Sequence, residues 1–240
     1  MAAAEQEALL LVQAADTLGD QLRHRRATLP ERGAVAGAEA EAVAAKRAHE
    51  ELAGGLAQMA ARQAELEGQL SVTESRAGSV EARLRSCEST AARDIVRWGE
   101  EVAHLRERAS GLEDEAFAAL VAREEAEAEV AAGASRLAAA VADLRRHRGD
   151  LAGAEETVDA ELSRVERERS TRAGAVPPEL LARYDRLRAH LGGTGAARLE
   201  DGRCQGCHLA LSPRDLDDAR RAPEEAVLAC DACGRILVRA

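Results

Sequence analysis

Apolar residues recur along this chain in steps of three and four, not in alternation and not in solid runs. From Ile95 to Val165 the steps pass through 21 positions, including Trp98, Val102, Leu105, Leu112, Val130, Ala134 and Leu144, and only Arg123, Arg148 and Glu155 are not apolar. This is the heptad seam of a coiled coil. An upstream seam runs from Val35 to Leu84 through 15 positions, with His49, Gln63 and Thr73 as its polar members. The two registers do not join, because Leu84 and Ile95 are 11 residues apart and the stretch Arg85-Ser86-Cys87-Glu88-Ser89-Thr90 is polar. Ser89 or Thr90 is a candidate N-cap. A turn near residues 85–91 therefore predicts an antiparallel hairpin with arms of nearly equal length. An intramolecular hairpin and a domain-swapped dimer share these seams, so monomer and homodimer both fit.

Pro30 interrupts the first arm and predicts a kink or break there, since a proline inside a helix removes a hydrogen bond and clashes with the preceding turn. The piece before it has a short seam of its own, Leu11, Ala15, Leu18, Leu22 and Leu29, which predicts packing at the base of the hairpin. After Arg172 the pattern changes. Gly174-Ala175-Val176-Pro177-Pro178 reads as a hinge, and Glu179 to Leu191 as a short helix stopped by Gly192-Gly193, glycine being the usual helix terminator. Tyr184 on that helix is expected to pack between arms and tail. Three regions result: a coiled-coil hairpin over 1–173, a hinge and connecting helix over 174–193, and a small cysteine-bearing region over 194–240.

Composition changes the picture in one respect. Hydrophobic residues make up 46% of the 240, but 55 of them are alanines and the only aromatics are Trp98, Phe117 and Tyr184. Aromatics normally dominate the burial of a globular core, so a single large enzyme core is not expected. The helix-favouring composition reads as coiled coil. No stretch approaches the roughly 20 apolar residues of a membrane span, and Met1 to Val12 lacks the basic start of a signal peptide. A cytoplasmic protein is expected.

The cysteines supply the chemistry. Cys87 stands alone, whereas Cys204-Gln205-Gly206-Cys207 and Cys230-Asp231-Ala232-Cys233 are two Cys-x-x-Cys pairs separated by 22 residues. Each pair aims two thiolates at one point, and two pairs complete a tetrahedral sulfur site suited to zinc. Gly206 and Gly234 are expected to supply the tight backbone of the two knuckles. Ser212-Pro213-Arg214-Asp215 predicts a capped short helix between them, and Ile236-Leu237-Val238 a strand. Four thiolates leave no open position for water, so the single Zn2+ is structural. It supplies most of the stability of so small a fold, on the order of 10 kcal/mol in zinc-finger peptides. His208, beside Cys207, is expected at the surface and not on the metal.

Two basic clusters are candidate contacts for phosphate or an acidic partner. Arg23, Arg25 and Arg26 lie on the first arm and Arg145, Arg146 and Arg148 on the second, and a hairpin centred near residue 88 brings them within about one helical turn, as a basic collar. In the tail, Arg220, Arg221, Arg235 and Arg239 are candidates for a basic face. Against nucleic acid stands the overall charge of −10, because binding driven by counterion release needs a basic surface. From Asp201 to Ala240 six basic residues meet seven acids.

Asp201-Gly202-Arg203-Cys204-Gln205-Gly206-Cys207-His208 together with Cys230-Asp231-Ala232-Cys233-Gly234-Arg235-Ile236-Leu237-Val238-Arg239 resembles the bacterial C4-type zinc ribbon proteins with an N-terminal helical hairpin. Leu22-Arg23-His24-Arg25-Arg26, Leu29-Pro30-Glu31 and Leu112-Glu113-Asp114-Glu115 are similar to that family's arm segments. The resemblance implies a mostly α fold, a long antiparallel coiled-coil hairpin followed by a C-terminal zinc ribbon of short strands and a short helix. It also implies a regulatory or nucleic-acid-binding role, in some members exercised through protein partners in flagellar or secretion systems. The leading expectation is a non-enzymatic adaptor docking protein partners in transcription or macromolecular assembly. The alternatives are a regulator that binds RNA or DNA through ribbon and collar, and a transcription factor that inserts its tip, near Glu88 and Asp94, into RNA polymerase. No nucleophile and base stand together and no phosphate-cradling glycine loop occurs, so catalysis is not expected.

Overall fold

The structure, a computed structural model, describes residues 3–86, 91–223 and 225–239. Three long helices come first: α1 (Ala3–Ala27), α2 (Glu31–Arg85) and α3 (Ala92–Ala173). They are followed by α4 (Pro178–His190), β1 (Ala196–Glu200), β2 (Arg203–Cys204), α5 (Pro213–Arg221), β3 (Leu228–Ala229) and β4 (Ile236–Arg239). The fold is a long helical hairpin with a small zinc-ribbon region after it. α2 ends at Arg85 and α3 begins at Ala92, while Cys87 and Glu88 of the predicted turn and its N-cap candidates Ser89 and Thr90 lie outside the described residues.

Pro30 starts a helix instead of bending one. Thr28 closes α1 through its amide and hydroxyl, both donating to the His24 carbonyl, and Gly33 N–H donates to the Pro30 carbonyl at 3.0 Å. Proline suits this place because the first helical amides have no intrahelical partner.

The chain divides into two units, Met1–Gly33 with Arg148–Ala240, and Ala34–His147. In the second unit α2 and α3 pack side by side. Ala77, Val80 and Leu105 form its buried cluster, flanked by Trp98 and Val102. The Arg83 guanidinium stacks 5.0 Å from the centre of the Trp98 ring. Ion pairs Arg76–Glu101, Arg106–Glu81 and Arg62–Glu115 bridge the helices at 2.6–3.5 Å. The heptad reading is not met at every seam position: Met59 and Ile95 are 41% and 43% exposed, and at Ala134 the neighbour Gly133 is buried in its place. A Cβ on Gly133 would sit 3.0 Å from Leu52 Cδ1 and 3.4 Å from His49 Nδ1, so the absent side chain permits the close approach of α2.

In the first unit α1 buries two faces. Ala15, Leu22 and Leu29 pack with Val158 and Val165 of α3. Ala8, Leu9 and Val12 pack with Val176, with Leu180 and Tyr184 of α4, and with Ala196 and Ile236 of the sheet. Leu9 and Val12 are wholly buried, each contributing about 1.5–3 kcal/mol relative to exposure. The predicted α1 seam is therefore corrected. Leu11 and Leu18 are 45% and 39% exposed, because the helix turns its broad side to α4 and the sheet as well as to α3.

The sheet has the order β2-β1-β4-β3, with β1 and β4 parallel and the outer pairs antiparallel. Parallel pairing sets Ala196 beside Ile236 and Ala197 beside Leu237. One face of the sheet thus joins the α1–α4 core through Ala196 and Ile236, while Ala197 and Leu237 pack against Cys204 and Cys230.

Candidate metal centre

Each cysteine pair sits on a chain reversal of the same construction. In the first, Cys204 ends β2 and His208 N–H donates back to the Cys204 carbonyl at 2.8 Å; in the second, Gly234 N–H donates to the Cys230 carbonyl at 2.7 Å. The donor in both is the residue after the second cysteine, and both have left-handed backbone, with φ of 61° at His208 and 76° at Gly234. That conformation is easy for glycine and tolerated by few other residues. His208 therefore serves the knuckle through its backbone, with its side chain exposed. Gly206 serves differently from the expected turn glycine. A Cβ there would meet Arg235 Cδ at 2.6 Å and Ala197 Cβ at 3.0 Å, so it is required for close packing.

The four sulfurs converge. All lie within 4.8 Å of one another, with Cys204 Sγ 4.0 Å from Cys233 Sγ and Cys207 Sγ 3.8 Å from Cys230 Sγ. A tetrahedral site with Zn–S bonds of about 2.3 Å has sulfurs about 3.8 Å apart, so the donors fit one structural zinc. Cys204, Cys207, Cys230 and Cys233 would hold it, and the ion would supply cross-linking of the two reversals. Burial pushes the Cys204 thiol up and the Cys230 thiol up to about 12. For Cys233 burial acts in the same direction, but hydrogen bonds from Arg235 and the neighbouring thiols outweigh it and bring the group down to about 7. A divalent ion favours the thiolate form at all four and releases their protons.

Around this centre, Ser212 caps α5 by accepting from Asp215 N–H at 3.1 Å. Asp231, in the second knuckle, is held above the usual carboxylate range by its hydrogen bond to Asp215. Arg235 donates to the carbonyls of Thr194 and Leu191, both at 2.9 Å, and ties the second knuckle to the segment leaving α4.

The sequence profile of the CT398-like coiled coil hairpin domain matches residues 12–192, and that of the C4-type zinc ribbon domain matches residues 203–237. The chain belongs to the CT398-like coiled-coil hairpin family. A relative described as an uncharacterized protein of Mycobacterium tuberculosis is 30% identical, over 98% of this chain and 96% of its own length. Two solved structures share the fold. One is from Mycobacterium smegmatis, with a TM-score of 0.72, 23% identity and coverage of 99% of this chain and 98% of that one. The other is CT398 from Chlamydia trachomatis, with a TM-score of 0.69, 16% identity and coverage of 98% of both. Among the described residues no helix is long and apolar enough to cross a membrane.

Within this family member the candidate basic residues are distributed as follows. Arg23, Arg25 and Arg26 pair with Glu166, Glu161 and Asp159 of α3 at 3.3, 3.8 and 2.7 Å. Their partners on α3 thus lie well beyond Arg148, and they meet acids where the sequence suggested a second basic cluster. Arg145, Arg146 and Arg148 are exposed on α3, Arg146 pairing with Asp143 at 3.0 Å. Arg220 and Arg221 both approach Asp217, at 3.9 and 3.8 Å, and Arg239 donates to the Pro223 carbonyl at 3.0 Å.

Sequence reasoning missed two polar residues of α1. Gln13, 8% exposed, accepts from Gly195 N–H at 2.7 Å and donates to the Gly193 carbonyl at 3.0 Å, fixing the start of β1. Asp16, also 8% exposed, accepts from Arg169 at 2.8 Å and from the Tyr184 hydroxyl. Their only signal is position, one and four residues past the buried Val12.

Proposed function

We propose that this chain is a non-enzymatic adaptor of the cytoplasm whose coiled-coil arms and zinc ribbon dock protein partners, in transcription or macromolecular assembly. The observation that carries this reading is the engagement of the ribbon arginines. Arg235 and Arg239 donate to backbone carbonyls, Arg220 and Arg221 approach one aspartate, and six basic residues meet seven acids from Asp201 to Ala240, so the ribbon has no net basic charge of the kind phosphate contacts need. A closed four-thiolate metal agrees with a scaffolding role, since it offers no position for a substrate or an activated water.

The test is capture from lysate of the native host with tagged, zinc-loaded full-length protein, with and without nuclease, beside direct binding to RNA and duplex DNA. Protein partners that persist after nuclease, with no salt-dependent nucleic-acid binding, are expected. Partners lost on nuclease treatment, or binding to RNA or DNA that weakens steeply with salt, would replace this reading with the nucleic-acid one.

A further inference from the structure

The two arms of the second unit are sealed unevenly. In α2 no residue between Ala38 and Gln63 is buried, and in α3 none between Leu112 and Gly133. Leu52 and Leu56 sit in the seam and are still only half-buried, and Met59 is 41% exposed. Distance between the helices is not the cause, because Leu52 and His49 press against Gly133. Small residues are. Ala48, Gly55 and Ala126 alternate with Leu52, Leu56 and Met59, and together they leave a groove of about 390 Å³. A Cβ added at Gly55 would meet nothing within 4 Å.

The rim of the groove is acidic. Glu51 and Glu129 line it, and among the described residues neither has an ion-pair or hydrogen-bond partner, whereas Glu101, Glu81 and Glu115 elsewhere on these arms are each bridged by an arginine. Between Arg123 and Arg136 the α3 sequence has four glutamates and no basic residue. A hole framed by leucines and methionine, with free carboxylates to either side, is what a coiled coil presents to a further helix: knobs at the centre and opposite charge at the flanks. In the first unit, α4 and the sheet packed over α1 take Leu9 and Val12 to zero exposure, a degree of cover that the seam between Ala38 and Gln63 lacks.

We propose that the groove formed by Ala48, Leu52, Gly55, Leu56, Met59 and Ala126 receives an amphipathic helix of a partner protein, its apolar stripe on the groove and its flanking arginines or lysines on Glu51 and Glu129. This rests on the adaptor reading and names the chemistry of the partner segment.

The experiment uses zinc-loaded full-length protein and two synthetic amphipathic helices with leucine at the a and d positions, one with arginine and the other with glutamate at e and g, followed by fluorescence anisotropy. The arginine-flanked helix should bind at least about ten-fold more tightly than its glutamate-flanked counterpart, given complementary charge at the rim. Gly55→Leu, which fills the groove and favours the helix, and the double substitution Glu51→Lys, Glu129→Lys should each weaken binding by about ten-fold or more, with circular dichroism unchanged. Equal binding of the two helices, or binding that survives both variants, overturns the proposal. So does a self-associated form that Gly55→Leu dissolves, since the groove is then occupied by a second copy. If nuclease-resistant partners bind the Gly55→Leu protein as well as the native one, the groove falls and the adaptor reading stands. If no such partner is captured, the adaptor reading falls.

Discussion

The hydroxyl of Tyr184 donates to Asp16 Oδ2 at 2.7 Å, joining α4 to α1 at a wholly buried ring. The same carboxylate accepts from Arg169 and lies 3.6 Å from Arg188 Nε. Three helices are thereby cross-linked through one acid. Tyr184→Phe should cost about 1.5–3 kcal/mol, the scale of a hydrogen bond to a charged group, read by urea denaturation.

The same pair sets an alkaline limit. Burial and the bond to Asp16 hold the Tyr184 phenol well above its ordinary value, so the folded chain keeps a proton that the unfolded chain loses near pH ~10. A group raised on folding contributes stability that is full below its unfolded pKa and declines as pH rises through the interval to its folded pKa. Stability should therefore fall above about pH 10, and less steeply in Tyr184→Phe. Parallel slopes in the two proteins would contradict the assignment.

Zinc should be present at one per chain, and its removal should act at a distance from the sulfurs. Cys230→Ser or chelation is expected to unfold the ribbon, with a loss on the order of 10 kcal/mol of metal-linked folding energy. Because Ala196 and Ile236 share a core with Leu9 and Val12, amide exchange in α1 should accelerate, while the helices of the second unit keep their circular dichroism. Zinc should also leave as pH falls, since only thiolates bind it. Unchanged exchange in α1 after chelation would separate the ribbon from that core.

Gly195 has no room for a side chain. A Cβ would lie 2.7 Å from the Tyr184 carbonyl oxygen and 3.0 Å from Arg188 N, both backbone atoms. Gly195→Ala should destabilise by about 1–3 kcal/mol through overpacking. Gly68 and Gly111 are the opposite case, mid-helix positions where a Cβ meets nothing within 4 Å. Alanine there should stabilise by up to about 1 kcal/mol each, seen as a higher Tm.

The hairpin, the break at Pro30, the capped α5 and the sulfur quartet were legible because each rests on local pattern: heptad steps, a missing amide, a hydroxyl before proline, paired thiols. What was not legible depends on distant partners. Gln13 and Asp16 look like surface residues until Gly195 and Tyr184, some 182 and 168 positions away, reach them. The registration of Arg25 and Arg26 with Glu161 and Asp159 was missed because the hairpin was centred near residue 88, whereas Leu52 lies against Gly133 and Arg123 reaches Gln63, a pairing centred about five residues later that carries through to Arg26 and Asp159. Gly133 and Ala134 are both small, and only the contact with Leu52 decides which faces inward.

The joining of α1 to the sheet has a consequence for biosynthesis. Gln6 reaches the Ala226 carbonyl across 220 positions, and Leu9 and Val12 share their core with Ile236. Contacts of such separation form late, so α1 leaves the ribosome with an uncovered apolar side and keeps it until β4 has been synthesised. During that interval the uncovered side of α1 is an aggregation-prone surface on the nascent chain. Zinc binding, which folds the ribbon that carries β4, is coupled to the closing of that core.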